Sequence, residues 1–218
     1  MTFLVDLDGT LIDIEQKYVQ CYKEVFGISL EISNRLWKRR RAGVNLNRII
    51  EELGIPIVNR SNILSNWHRI IESEQMLEFD SLVEGSSKFL ERATLENNSI
   101  CLFTARRNRE NLMSQLNNLG ILSCFSMIIS IEDSPNKELA LRRVIDNQDL
   151  CLSSRDIVFS DTTEEIMIAH NFGIQACAVL SGLSTRQMFM ENEILPNFII
   201  DSIADWPIKT ARSGKTPV

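Results

Sequence analysis

Asp6 and Asp8 stand two residues apart in the stretch Phe3-Leu4-Val5-Asp6-Leu7-Asp8-Gly9-Thr10-Leu11. The apolar run 3–5 reads as a short buried strand, followed by a sharp turn at Asp8-Gly9. Residues two apart on an extended segment share a face, so both carboxylates leave the strand's carboxyl end in one direction. Open α/β sheets bind ligands at that end. Two carboxylates forced together repel unless a cation lies between them. A lone pair of this kind reads better as turn-capping aspartates. Here three partners follow downstream.

Thr104 closes the apolar run 99–103, where a hydroxyl can donate to a phosphate oxygen and the amide of Ala105 can join it near a helix start. Lys137, in Ser-Pro-Asn-Lys, falls in the first turn of a predicted helix, where its charge opposes the helix dipole. That awkward place suggests another task, such as neutralising a bound phosphate. Asp161 closes a further strand, and Glu165 follows four residues on, inside the next helix. Both carboxylates can face one metal, and Mg²⁺ takes oxygen ligands, few of them from protein. Singly, each has a plainer reading: Thr104 satisfies the local backbone, Lys137 is a solvated surface lysine, and Asp161 is a helix N-cap. Their recurrence in a set order at strand ends is what those plainer readings do not require.

Positioning such a set needs parallel strands with short returns. From about residue 81 the pattern alternates, with strands at 99–104, 125–130, 156–161, 175–180 and 198–201. Helices fall at 86–93, 108–119, from Ser134-Pro135 through Val144, 162–172 and 184–191. The alternation predicts an α/β fold, a doubly wound, mostly parallel Rossmann-like sheet with helices on both faces. Between residues 14 and 82 the pattern is helical throughout. One helix runs from Asp13 to Gly27, a second over 32–41, a third over 46–53, and a fourth begins at Ser61. That is too long for a simple connection and reads as an inserted helical subdomain. The organisation expected is therefore a core of 1–13 and 83–210, an insertion of 14–82, and a frayed polar tail at 211–218.

Composition narrows the partners. The chain has 218 residues, is 44% hydrophobic and 24% charged, and carries a net charge of −6. The length suits one core plus an insertion. The acidic balance argues against nucleic acid or anionic membrane as a general partner. Five scattered cysteines with no C-x-x-C pair fit a reduced, cytoplasmic compartment, and two histidines without ligand spacing make structural zinc a poor fit. No basic leader precedes the first strand, and no apolar run approaches the ~18 residues that span a bilayer. Such a chain is expected as a monomer or homodimer.

The order of these motifs resembles the haloacid dehalogenase superfamily, in its phosphoglycolate-phosphatase-like branch with a helical cap. Asp6-Leu7-Asp8-Gly9-Thr10 is similar to the first family motif, Thr104 to the second, Lys137 to the third, and Ser160-Asp161 through Glu165 to the fourth. The resemblance implies that Asp6 is a nucleophile forming an aspartyl-phosphate and that Asp8 is general acid, then base. It implies that Thr104 and Lys137 hold the phosphate, and that Asp6, the main-chain carbonyl of Asp8, and Asp161 bind Mg²⁺. Members that displace halide lack the second aspartate, so Asp8 points to a phosphate ester of a small metabolite. Two departures stand out: Ser160 where glycine is usual, and Glu165 where a second aspartate is usual. They imply altered metal geometry rather than lost activity.

The implied cap would read the leaving group. The basic run 38–41 makes Arg41, Asn45 and Arg48 the candidates for contacting an anionic substrate. His68, beside Trp67 in an amphipathic pattern, suits a surface or interface role. A sugar phosphomutase and a non-catalytic binding module are the alternatives on the same scaffold. Phosphonate hydrolysis would need a desolvated lysine, and nothing in the sequence marks Lys17, Lys23 or Lys38 as one.

Overall fold

A computed structural model describes residues 1–191 and 193–207. Strand β1 (Thr2–Val5) passes through a tight turn into β2 (Ile12–Asp13). Five helices follow: α1 (Glu15–Phe26), α2 (Leu30–Arg41), α3 (Leu46–Glu52), α4 (Ile57–Ile71) and α5 (Glu74–Leu77). Strand β3 (Ser81–Leu82) pairs antiparallel with β2, so the chain leaves and re-enters the α/β part through a two-residue ribbon. The remainder alternates: α6 (Ser86–Leu95), β4 (Ser99–Phe103), α7 (Arg109–Asn118), β5 (Met127–Ile129) and α8 (Lys137–Asp146). Then come β6 (Ile157–Ser160), α9 (Thr163–Asn171), β7 (Gln175–Val179), α10 (Arg186–Met190) and β8 (Phe198–Ile200).

The main sheet is a six-stranded, all-parallel α/β sheet in the order β5-β4-β1-β6-β7-β8, the Rossmann-like arrangement expected. The chain builds outward from β1 in one direction, then returns to build the other. The amino-terminal strand thus lies at the centre, beside the crevice where such sheets hold ligands. Alternate residues of β1 enter different cores. Phe3 and Val5 join a cluster that continues through Phe89 and Leu102 into Tyr22, Trp37 and Trp67 of the helical segment, while Leu4 packs with Phe103, Val158 and Ala176. Both faces are apolar because both are covered. Each fully buried large side chain contributes about 1.5–3 kcal/mol, so the site rests on a strongly packed strand.

Local chemistry accounts for most helix ends. Ser29, Asn45, Ser73, Asn108, Asn136 and Thr185 each accept a main-chain N–H in the first turn that follows them. Gly27 closes α1 in the left-handed region at φ 64°. Three expectations need correction. Helix α4 begins at Ile57 rather than after Ser61, because Pro56 already sets the chain at its start. Helix α8 begins at Lys137, with the Asn136 side chain rather than Pro135 organising the first turn. The β2–β3 ribbon and the one-turn α5 were not expected, being too short to leave a periodic signal. The 211–218 tail lies outside the described residues. Among those described, no helix is long and apolar enough to cross a membrane.

Candidate active site

Strands β4, β1 and β6 are neighbours in register, with Val5 opposite Leu102 on one side and Phe159 on the other. Their carboxyl ends therefore bring Asp6, Thr104 and Asp161 to one edge. The Asp6 amide donates to the Phe159 carbonyl at 2.9 Å, and the Thr104 amide to that of Ile129 at 2.9 Å, so the backbone stays paired to the point where each side chain departs.

Asp6 is buried, and its Oδ1 accepts a hydrogen bond from Lys137 Nζ at 2.5 Å. The same ammonium contacts Glu165 Oε1, whose other oxygen accepts the Ser160 hydroxyl at 3.0 Å. Lys137, expected as a phosphate-neutralising cation, is thus buried between two carboxylates in the first turn of α8. Burial pushes Asp6 up to about 7, helped by the nearby Glu165 and Asp8 charges and opposed by Lys137. For Lys137, burial favours the neutral amine, but Asp6 and Glu165 outweigh it and hold the charge above the usual lysine range.

Asp161 is fully buried. Its Oδ2 accepts the Leu183 amide at 2.6 Å, while its Oδ1 is buried without a hydrogen-bond partner. The N-cap reading of Asp161 does not describe this geometry, since its side chain faces the 182–183 loop. Burial, then the proximity of Asp6, raises its pKa well above the ordinary value. Two glycines make room for it: a Cβ on Gly182 would lie 1.9 Å, and one on Gly9 2.3 Å, from Asp161 Oδ2. An unpartnered buried carboxylate oxygen facing a second raised carboxylate fits a hard divalent cation. No group of three or more His, Cys, Asp or Glu side chains forms a metal cage among the described residues. A cation held there would therefore complete its shell from main-chain, water or substrate oxygens.

Asp8 is held by a cluster in which Lys17 and Asp80, unmarked in the sequence, join Arg106. Arg106 donates from Nε to Asp8 Oδ2 at 2.6 Å and from Nη2 to Oδ1 at 2.8 Å, and Lys17 Nζ lies 2.6 Å from Oδ1. Behind them, Asp80 accepts from Lys17 at 2.6 Å, Gln115 at 2.7 Å and Arg106 at 3.2 Å. Burial would raise the Asp8 pKa, but Arg106 and Lys17 overcome it and hold the carboxyl well below the usual range. Lys17 is 1% exposed, so a desolvated lysine does exist. Its Nζ is committed to both Asp8 and Asp80, which leaves it unsuited to forming a Schiff base. A signal was available: Lys17 falls on the apolar face of α1, between Ile14 and Cys21 at helical spacing.

A cavity of about 580 Å³ opens above these groups, lined by Asp6, Asp8, Lys17, Ala105, Lys137 and Asp161 among others. Thr104 lies beneath it, buried, its Oγ1 accepting the Arg106 amide at 3.3 Å. The proposed substrate contacts from the helical segment are not among the lining residues. Arg41 donates to the Leu180 carbonyl at 3.2 Å, Asn45 caps α3, and Arg48 pairs with Glu51 and Glu52 in solvent. Arg40 and Asn47 line the cavity instead; His68 is exposed, as expected, and borders the cavity as well. Glu72 accepts the amides of Arg107 and Asn108 at 2.9 and 2.8 Å, so the end of α4 sits on the start of α7.

Residues 3–179 match the family model described as haloacid dehalogenase-like hydrolase. A comparison with curated proteins found no match. Among solved structures, the chain is similar to a haloacid dehalogenase-like hydrolase from Streptococcus pneumoniae, with 19% identity, TM-score 0.73, and 93% of this chain and 94% of that one covered. It is also similar to a Lactobacillus plantarum protein provisionally described as a phosphoglycolate phosphatase (15% identity, TM-score 0.71, coverage 94% and 96%). A third is a Thermotoga maritima protein provisionally described as a β-phosphoglucomutase (19%, TM-score 0.67, coverage 93% and 94%). At these identities the structural likeness speaks to the fold alone.

Proposed function

The chain belongs to the haloacid dehalogenase-like hydrolases, and from that premise we propose that it is a Mg²⁺-dependent phosphatase acting on a small phosphorylated metabolite. The observation that carries this reading is the buried facing of Asp6 and Asp161, one oxygen of the latter unpartnered, beside the Lys137 ammonium. In this reading Asp6 attacks phosphorus and takes the phosphoryl group as an aspartyl-phosphate. Lys137, 2.5 Å from the attacking carboxylate, offsets charge on the transferred group, and the exposed amide at Ala105 adds a donor. Mg²⁺ bound by Asp6, Asp161 and the Asp8 main-chain carbonyl would supply charge neutralisation and orientation.

Asp8 then serves the second half-reaction. Kept ionised by Arg106 and Lys17, it is equipped to accept a proton from the water that hydrolyses the acyl phosphate. Donating a proton to the leaving oxygen first requires one of those two cations to release its hold. Helices α1–α5 act as a cap over the cavity, their Tyr18, Trp67 and Ile71 excluding water from the phosphoryl group. The test is hydrolysis of p-nitrophenyl phosphate with and without Mg²⁺. Metal-dependent turnover in wild type, abolished in Asp6→Asn, is expected. Absence of metal-dependent turnover in wild type would leave the scaffold as a binding module.

A further inference from the structure

The charges around the cavity are unevenly satisfied. Lys17 and Arg106 are committed to Asp8 and Asp80, and Lys137 to Asp6 and Glu165. On the helical segment, Arg39 pairs with Glu52, Arg41 reaches the Leu180 carbonyl, and Arg48 pairs with Glu51 and Glu52. Arg40 differs. It lines the cavity, is half-buried, and among the described residues has no carboxylate partner; its side chain donates to the Val44 carbonyl at 3.4 Å. Helical spacing explains its placement: Leu36 and Trp37 are buried one turn earlier, so Arg40 continues the inward face of α2. A partly desolvated guanidinium without a counter-ion is an unfavourable arrangement that an incoming anion relieves.

The same cavity carries apolar and aromatic lining from Tyr18, Leu46, Leu64 and Trp67. The cavity's ~580 Å³ suits a ligand larger than phosphate alone. Resting on the phosphatase reading above, we infer that Arg40 is the subsite for a second anionic group. The favoured substrates are phosphomonoesters whose apolar body carries a carboxylate or further phosphate at its far end. Arg107 is the other lining cation without a carboxylate partner among the described residues, but it is exposed and lies on the α/β side. It is therefore the natural rival in any test.

Calorimetric titration of the full chain, in Mg²⁺, with benzylphosphonate, 4-carboxybenzylphosphonate and p-xylylenediphosphonate tests this directly. Wild type should bind one or both of the doubly anionic ligands about tenfold or more tighter than benzylphosphonate, the carboxylate and phosphonate arms showing which anion Arg40 prefers. Arg40→Gln should bring that ratio close to one, and Arg40→Lys should restore part of it. Arg48→Gln should leave the ratio as in wild type. Equal affinity for all three ligands, no binding of any, or a ratio lost in Arg107→Gln but kept in Arg40→Gln would overturn the assignment. Turnover of phenyl phosphate and 4-carboxyphenyl phosphate separates the two readings. Anion-selective binding without hydrolysis of either ester refutes the phosphatase and keeps the subsite. Hydrolysis of both esters with equal kcat/KM refutes the subsite and keeps the phosphatase.

Discussion

Ser160 donates its hydroxyl to Glu165 Oε2 at 3.0 Å, and the Thr162 amide in turn donates to Ser160 Oγ at 3.1 Å. The two residues that depart from the fourth-motif pattern are thus partners. A glutamate, one methylene longer than the usual aspartate, is steadied by the hydroxyl that replaces the usual glycine, and its free oxygen meets Lys137. The changes compensate and are expected to be non-additive. Ser160→Gly and Glu165→Asp should each lower metal-dependent turnover, while the double variant should be less impaired than the product of the singles. The expected coupling is about 0.5–3 kcal/mol, read from a double-mutant cycle on kcat/KM. Strict additivity would show that the hydrogen bond has no energetic consequence.

Removing the Lys17 charge should be costly in stability. Its charge lies between Asp8 and Asp80, the latter's side chain fully buried, so Lys17→Met leaves the partly buried Asp8 and the buried Asp80 to share Arg106. A loss of about 3 kcal/mol in the urea-unfolding free energy is expected, typical of breaking a buried pair from one side. Adding Asp80→Asn should recover part of that loss, because an amide needs no counter-ion. Arg48→Gln, which breaks only solvent-exposed pairs, should unfold close to wild type.

The strands and their order of use were legible because each is a short apolar run closed by a polar residue, and β1, β4 and β6 end on Asp6, Thr104 and Asp161. The second tier of the site was not. Asp80 acts through Lys17, Arg106 and Gln115, which lie 63, 26 and 35 residues away in sequence, and no local pattern reports such pairings. The arginine of this run that lines the cavity is Arg40, one position before Arg41. A run of four basic residues looks uniform in sequence, and only the phase set by Leu36 and Trp37 singles out Arg40. Read as a helical face, that phase is present in the sequence and points inward at position 40.

Gly182 tests how tightly Asp161 is seated. Its φ lies outside the left-handed region, so alanine is acceptable to the backbone and the cost is steric. The added Cβ would lie 1.9 Å from Asp161 Oδ2 and 2.4 Å from its Cγ, and the carboxylate can retreat only by giving up the Leu183 amide. Gly182→Ala should cost about 1–3 kcal/mol in stability, as overpacking does, and lower Mg²⁺-dependent turnover at least about tenfold. Thermal melts and the Mg²⁺ dependence of aryl-phosphate hydrolysis check both. A variant with wild-type melting and wild-type metal dependence would place Asp161 outside the metal site.

The raised Asp6 pKa predicts how the metal-free protein responds to pH. Asp6 titrates near 3.8 when unfolded and at about 7 when folded, so between these values the folded state holds a proton that the unfolded state has lost. Stability then falls as pH rises through that window and levels off above about 7. Asp161, also raised by burial, acts in the same direction, whereas Asp8, held low by Arg106 and Lys17, adds a contribution lost only as pH falls below about 4. Asparagine at position 6 carries no such titration. In EDTA, Asp6→Asn should therefore gain stability relative to wild type as pH is raised from 4.5 to 8, measured as the difference in urea midpoints. Adding Mg²⁺ at pH 8 should reverse the order, because a ligand that binds the folded wild type raises its stability and the variant has lost one of the carboxylates that would hold it. A midpoint difference that ignores both pH and metal would mean that Asp6 ionises freely and faces no cation.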